Sequence, residues 1–284
     1  METYQLQRLT PDFLPRLIAL SKRVDWNYSE RTVRTAFRAG PIYGHTTPQG
    51  ELLSSAAIFP YGQTLAWLGM VIVHPDHQRR GLGRAVVQQC IDQVQSPQRA
   101  IKLIATAEGA QLYSRLGFQT VGINRKFLCD SSIASPEPTG RYQVQPLRQS
   151  DLATVVALDE AAIGAERSAF LAAHITYAQQ AVLLRDSSGI AVGYALSVPA
   201  TGMLVIGPVV APDTEAALLM VHELCKTHRG TLRIDVPQPL EPFCRGLARH
   251  GFQLADEPPI MAYNAAALPE PSKTLFAIAS QAYG

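Results

Sequence analysis

The stretch that decides the fold is Trp67-Leu-Gly-Met-Val-Ile-Val-His-Pro-Asp-His-Gln-Arg-Arg-Gly-Leu-Gly-Arg-Ala85. It predicts an apolar strand, a short turn, a glycine loop and the start of a helix, in that order. The glycines of Gln78-Arg-Arg-Gly-Leu-Gly83 permit a tight turn and let an anion approach the backbone, and amides at a helix N-terminus bind phosphate groups. Arg79, Arg80 and Arg84 add positive charge there. The segment therefore predicts a local pyrophosphate site.

This loop differs from two other phosphate-binding motifs. Val86 stands where the dinucleotide fingerprint has its third glycine, and Asp92 follows too soon for a ribose contact. A Walker loop would require Gly-Lys-Ser or Gly-Lys-Thr, which is absent here. On the loop alone, a strand-to-helix turn with solvated arginines remains an alternative.

Around this motif the first half predicts a mixed α/β domain. Strands that first meander and then alternate with helices indicate a mixed sheet with helices packed on it. The predicted elements are helices at 12–23 and 29–39, strands at 42–46, 51–59 and 64–73, a helix at 83–94, a strand at 100–105, a short helix at 110–116 and a last strand from 118.

The same landmarks recur in the second half, in the same order. Val71-Ile-Val-His-Pro-Asp76 is echoed by Val209-Val-Ala-Pro-Asp213, and Leu116-Gly-Phe-Gln119 by His250-Gly-Phe-Gln253. The stretch between the halves is rich in Ser and Pro and cannot sustain a helix. We therefore predict a duplicated domain. The predicted division is a first domain at 1–130, a linker at 131–141 and a second domain at 142–284.

Bulk properties exclude several classes of partner. The net charge of +2 provides no overall field for nucleic acid or an anionic membrane. The apolar runs are strand-sized, and the N-terminus lacks a signal-peptide pattern. Four cysteines without a CxxC pair, and no histidine cluster, give no metal site. We therefore expect a cytoplasmic protein that binds no nucleic acid, membrane or metal. These properties do not decide whether the protein forms a homodimer.

The glycine loop resembles the signature Q/R-x-x-G-x-G/A of the GNAT superfamily of N-acetyltransferases, matched by Gln78, Gly81 and Gly83. The resemblance extends to Val71-Ile-Val-His-Pro75 before the loop and to Leu112-Tyr-Ser-Arg-Leu-Gly-Phe118 after the next strand. It implies acetyl-CoA as co-substrate, bound along the strand by its pantetheine arm and at the loop by its pyrophosphate. The implied cofactor-binding residues are Val71, Ile72, Val73, Gln78, Arg79, Arg80, Gly81, Leu82, Gly83 and Arg84.

The resemblance also implies roles in the reaction. A protonated aliphatic amine, with a pKa of about 10, is no nucleophile, so a base or a water relay must remove a proton. Tyr113 is implied to lie near the thioester sulfur and is our candidate acid for the leaving thiolate, with a core tyrosine as the alternative. A strand amide near Met70 or Val71 would stabilise the negative charge that develops on the carbonyl oxygen of the thioester.

The general base is less well defined. Some GNAT enzymes place a Glu on the strand that here is Ile101-Lys-Leu-Ile-Ala105, and this strand has none. Glu108, just beyond it, is our candidate, acting directly or through water; a solvated loop carboxylate is the alternative.

The acceptor side is predicted from the segment between the first two helices, which lines that side in this superfamily. Asp25, Trp26 and Tyr28 lie there, and an aromatic group beside a carboxylate suits an amine, although Trp26 could equally fill the core. Arg167 is a candidate for binding a substrate carboxylate, with an ordinary ion-pair residue as the alternative.

The second half looks like the degenerate C-terminal domain of bacterial two-domain GNAT proteins of the YitH/HolE type. The resemblance depends on Asp159-Glu-Ala-Ala-Ile-Gly-Ala-Glu-Arg167 and Ile206-Gly-Pro-Val-Val-Ala211. This half has no glycine loop, and Leu247 stands at the position equivalent to Tyr113. We therefore predict that it does not turn over acetyl-CoA and instead shapes the acceptor site.

The predicted function is transfer of acetyl from acetyl-CoA to a primary amine of a small molecule, by direct attack in a ternary complex. A non-catalytic acyl-CoA sensor is one alternative, which the missing strand carboxylate permits. Acetylation of a protein amino group is another, which a second domain over the acceptor side disfavours.

Overall fold

The computed structural model describes residues 4–130, 140–270 and 272–284. Most of the predicted linker, residues 131–139, lies outside the described residues. The described chain forms two mixed sheets with helices packed against them, so the predicted mixed α/β class is confirmed. Within these residues, no helix combines the length and the apolar character needed to span a bilayer.

The first half carries seven strands and four helices among the described residues. These are β1 Gln5–Leu9, α1 Leu14–Lys22, α2 Glu30–Ala39, β2 Ile42–Thr46, β3 Ser54–Tyr61, β4 Leu65–Val73, α3 Leu82–Val94, β5 Ala100–Ile104, α4 Ala107–Arg115, β6 Gln119–Ile123 and β7 Arg125–Cys129.

The described part of the second half repeats this order and adds one short strand. Its elements are β8 Tyr142–Pro146, α5 Leu152–Ile163, α6 Ser168–Thr176, β9 Gln180–Asp186, β10 Ala191–Ala200, β11 Met203–Val210, α7 Thr214–Cys225, β12 Thr231–Val236, α8 Glu241–Arg249, β13 Gln253–Asp256, β14 Pro259–Tyr263 and β15 Leu275–Ala277.

Local sequence explains where the helices start and which face they bury. Ser29 caps α2 by accepting from the Thr32 amide at 3.1 Å, and Thr106 caps α4 by accepting from the Gly109 amide at 3.1 Å. Helix α3 buries the apolar face that its spacing predicts. The buried residues of that face include Val86, Val87, Cys90, Ile91 and Val94.

The two halves exchange a strand. The first sheet has the order β1-β2-β3-β4-β5-β14-β6, and the second β13-β7-β12-β11-β10-β9-β8. Strand β14 of the second half pairs with β5 (Met261 opposite Leu103), and β7 of the first half pairs with β12 (Phe127 opposite Ile234). The division between sheets therefore differs from the predicted division along the chain at these two strands.

In each sheet the two central parallel strands pair at one end and then diverge. Strand β4 pairs with β5 only at 65–67, and β11 pairs with β12 only at 203–206. In the second sheet, β15 pairs with β11 beyond this point, and the Ile278 amide donates to the Asp235 carbonyl at 3.0 Å. No strand of the described residues fills the equivalent opening of the first sheet.

Candidate active site

A cavity of about 1600 Å³ lies at the opening between β4 and β5. From the first half it is lined by the end of β4, the glycine loop, the start of α4 and the segment between α1 and α2. From the second half it is lined by residues of α6, the β10–β11 turn, β12 and the stretch 279–283. Groups from both halves therefore surround one continuous space.

The glycine loop forms one wall of this cavity. Gly81 has φ +84° and directly precedes α3, and a Cβ there would meet no atom within 4 Å, so the backbone conformation is what favours glycine. A Cβ on Gly83 would lie 3.3 Å from Val73 and 3.5 Å from Leu112, which leaves little room. The first turn of α3 thus presents its backbone amides beside the cavity, as an anion site requires.

Two of the predicted cofactor residues lie apart from the rest. The exposed Arg80 is not among the residues that line the cavity, and its guanidinium donates to the Tyr4 hydroxyl at 2.7 Å. Its predicted contact with a pyrophosphate stays a prediction. The Ile72 side chain is buried, because alternation along β4 points it away from Val71 and Val73, which line the cavity. The backbone role predicted for Ile72 stays a prediction. The predicted residues that do line the cavity are Val71, Val73, Gln78, Arg79, Gly81, Leu82, Gly83 and Arg84.

Strand β4 carries a bulge where it faces the cavity. Its register against β3 shifts between Ser55 and Ala57, and Met70 has φ +54°. The Ser55 hydroxyl donates to the Met70 carbonyl at 2.8 Å and fixes this conformation. A bulge interrupts the regular ladder and re-aims backbone groups, so it suits the oxyanion role predicted for an amide near Met70 or Val71.

Tyr113 lines the cavity from α4, and its ring packs edge-on against Phe118 at 5.8 Å. Burial raises the pKa of its phenol, so the hydroxyl stays protonated at neutral pH and can serve as a proton donor. Glu108 also lines the cavity, from the first turn of α4, where it is exposed to solvent. The acid candidate is therefore a buried group and the base candidate a solvated one.

The predicted acceptor residues between α1 and α2 all line the cavity. Trp26 is 42% exposed and its ring lies 6.0 Å from that of Tyr28, so it does not fill the core. Burial raises the pKa of Tyr28, and Tyr283 and Tyr113 raise it further. All three tyrosines line the cavity. Asp25 completes this wall of the cavity and has φ +57°.

Arg167 does not take part in the cavity. Its side chain is fully buried and donates to both carboxylate oxygens of Asp159, at 2.8 and 2.9 Å, and to the Gly284 carbonyl at 2.8 Å. The Tyr194 hydroxyl donates to the same carboxylate. The prediction that Arg167 binds a substrate carboxylate is therefore corrected, and the ion-pair alternative describes it.

Sequence reasoning missed the cavity residues contributed by the second half and by β7. Lys126 and Arg233 line the cavity from neighbouring strands β7 and β12. The fully buried Asp235 accepts from Arg233 at 2.8 Å, and from Asn124 at 2.9 Å. No motif marks these residues, because they meet only through the exchange of β7.

His174 is a further unpredicted residue on the cavity wall. It lies on α6 and stacks on Phe170 with ring centroids 5.0 Å apart. Burial, followed by the charge of Arg167, lowers the pKa of His174 to about 4. The imidazole is therefore neutral at physiological pH.

In the second half, protein groups take the places where a cofactor would bind. Strand β15 fills the opening beside β11, and the Asp213 carboxylate caps α7 by accepting from the Ala216 amide at 2.9 Å. This carboxylate stands where the first half offers amides to an anion. Leu247 is buried at the position equivalent to Tyr113.

Comparison with known proteins finds two matches to family models described as acetyltransferase (GNAT) domains, at residues 45–120 and 155–277. The uncharacterized N-acetyltransferase YitH of Bacillus subtilis (strain 168) is 33% identical over 281 residues, covering 99% of this chain and 98% of that protein.

Solved structures show the same fold over the whole chain. A Pyrococcus horikoshii protein proposed to be an acetyltransferase has a TM-score of 0.81 at 18% identity, covering 100% of this chain and 97% of its own. A tandem GNAT protein from the clavulanic acid biosynthesis pathway has a TM-score of 0.68 at 14% identity, covering 92% and 98%.

Proposed function

The chain belongs to the GNAT family of acetyltransferases, and we propose that its first half transfers acetyl from acetyl-CoA to a primary amine of a small molecule. One observation carries this proposal: a single cavity is lined by the glycine loop, by Tyr113 and by residues of the second half. The donor and the acceptor would therefore meet in one continuous space. That arrangement supports direct attack in a ternary complex.

The residues at the opening of the first sheet fit acetyl-CoA. The strand edge of β4 at Val71 and Val73 would hold the pantetheine arm, and the amides at the start of α3, with Arg79 and Arg84, would hold the pyrophosphate. Bound acetyl-CoA supplies the acyl group as a thioester. The described residues of the second half offer no such place, because β15 and the Asp213 carboxylate occupy it.

The chain's own groups would assist the transfer at three atoms: the departing sulfur, the carbonyl oxygen and the amine nitrogen. Tyr113 would donate a proton to the departing sulfur, and burial keeps its phenol protonated for that task. A backbone amide at the Met70 bulge would donate to the carbonyl oxygen as negative charge develops there. Glu108, or water that it orders, would take the proton lost by the amine.

The acceptor is proposed to be small because the second half stands over the acceptor side. The Thr201 hydroxyl donates to the Asn27 carbonyl at 2.7 Å, which ties the β10–β11 turn to the segment that carries Trp26 and Tyr28. A folded protein substrate would need this side to be open.

The test is thiol release from acetyl-CoA with a panel of amines, run beside calorimetry of acetyl-CoA binding. In Tyr113→Phe we expect kcat to fall about 100-fold, the lower range for a lost general acid, with the Kd for acetyl-CoA within about twofold of wild type. Tyr263→Phe is the matched control, because the Tyr263 ring also packs against Phe118, with centroids 5.7 Å apart, and does not line the cavity.

Equal loss of binding and turnover in Tyr113→Phe would remove its proposed role. A wild-type protein that binds acetyl-CoA tightly but releases no thiol in the presence of any amine of the panel would instead be an acyl-CoA sensor.

A further inference from the structure

Residues 278–284, here called the crossing segment, run from the second sheet to the first. The segment starts directly after β15, where the Ile278 amide donates to the Asp235 carbonyl at 3.0 Å. The Gln281 side chain then donates to the Asp235 carboxylate at 3.0 Å. Its beginning is therefore held by the strand that fills the opening of the second sheet, and by β12.

Three elements of the first half hold the other part of the crossing segment. The Trp67 indole on β4 donates to the Gln281 carbonyl at 3.1 Å. The Tyr61 hydroxyl on β3 donates to the Tyr283 carbonyl at 2.7 Å, and the Tyr283 hydroxyl donates to the Thr32 carbonyl on α2 at 2.6 Å. These bonds place the segment inside the first half.

The crossing segment is also closed on itself. The Gly284 amide donates to the Ser280 carbonyl at 3.0 Å, and the Ala279 amide donates to the Gly284 carbonyl at 3.1 Å. The same Gly284 carbonyl accepts from the fully buried Arg167. The backbone therefore forms a fixed turn and not a loosely attached tail.

This turn lies against β4 immediately before the bulge. A Cβ placed on Gly69 would come within 2.2 Å of the Ala282 carbonyl oxygen, so only glycine allows the approach. The next residue, Met70, is the bulge residue expected to face the acetyl carbonyl. Residues 279–283 all line the cavity.

We propose that the crossing segment is the specificity-determining wall of the acceptor site, with Ala282 limiting the size of the group that the acceptor carries next to its amine. This inference rests on the proposed function. The second half would thus contribute to selectivity through a backbone turn. This turn is held in place by β15, the strand that fills the opening of the second sheet.

Ala282→Leu tests this by adding bulk to the half-buried wall. We expect the KM of bulky amines to rise at least about tenfold, the scale of discrimination by single methylene-sized changes in a pocket. The ratio of kcat/KM for bulky amines to kcat/KM for the smallest accepted amine should therefore fall at least about tenfold, in a variant that still binds acetyl-CoA. Ala248→Leu, at an exposed position of α8 outside the cavity lining, is the matched control.

Acetyl-CoA calorimetry on each variant confirms that the first half is folded. If Ala282→Leu binds no acetyl-CoA, Ala282→Val is measured by the same criteria. Loss of acetyl-CoA binding in both variants would place the crossing segment in the part of the cavity that holds the cofactor, and would overturn the proposal. An unchanged order of preference among amines in a variant that binds acetyl-CoA would also overturn it. Failure of the proposed function looks different, since the wild type itself would then acetylate no amine.

Discussion

The neutral state of His174 is expected to make the fold sensitive to acid. Burial and the charge of Arg167 lower its pKa to about 4, from an ordinary value near 6.5. The folded state therefore binds this proton less readily than the unfolded chain. The resulting stability is fully present above about pH 6.5 and is lost as the pH falls toward 4.

The magnitude follows from the two pKa values. Between about pH 7.5 and pH 5, the histidine becomes mostly protonated in the unfolded chain but stays mostly neutral in the folded protein. The free energy of unfolding therefore falls by about 2 kcal/mol. Urea unfolding of the wild type and of His174→Asn at both pH values isolates this contribution. The wild type should lose about 2 kcal/mol more than the variant, because the variant has no imidazole to protonate.

His174→Phe serves as the matched second variant. It keeps a ring for stacking on Phe170 and also cannot take up a proton, so its baseline stability differs from that of His174→Asn while its pH dependence should be the same. Parallel pH dependence of the wild type and both variants would refute the reasoning. It would mean that the imidazole accepts a proton in the folded state at no cost.

Two further predictions concern the ion pair and the glycine loop. Asp159→Asn leaves the Arg167 charge buried without its carboxylate, so urea unfolding should show a loss of about 3–5 kcal/mol; a loss below about 1 kcal/mol would show that the charge finds other compensation. Gly81→Val forces a β-branched residue to φ +84°, and calorimetry should show acetyl-CoA binding weakened at least about tenfold. Gly189→Val is the matched control: this exposed glycine has φ +83° and does not line the cavity, so the variant should bind acetyl-CoA normally.

The sequence predicts those parts of the site that are local in the chain. A strand, a glycine loop and a helix lie within twenty residues at 67–85, and their period and turn residues determine the local geometry. The capped start of α4 similarly brings Glu108 and Tyr113 to the cavity. These elements can be recognised in the sequence because their conformations depend on few contacts with residues distant in the chain.

The remaining parts of the site depend on contacts between distant residues. Strands β7 and β14 carry no sequence sign of which sheet they join, because the backbone hydrogen bonds that pair two strands do not depend on which half of the chain supplies them. Arg167 could not be distinguished from a ligand-binding arginine until its partner Asp159 was located. Arg80 sits within the motif and still turns toward Tyr4, since a motif determines backbone conformation more firmly than side-chain direction.

The exchange of β7 and β14 also has a consequence for the order of synthesis. A ribosome makes β14 about 160 residues after β5, the strand beside which it must insert. The first sheet therefore has an unfilled place between β5 and β6 until most of the second half has emerged. The nascent first half exposes unpaired strand edges during that interval. The closing of the first sheet is then a late event, and cutting the chain between the halves would yield two fragments that each hold a strand belonging to the other.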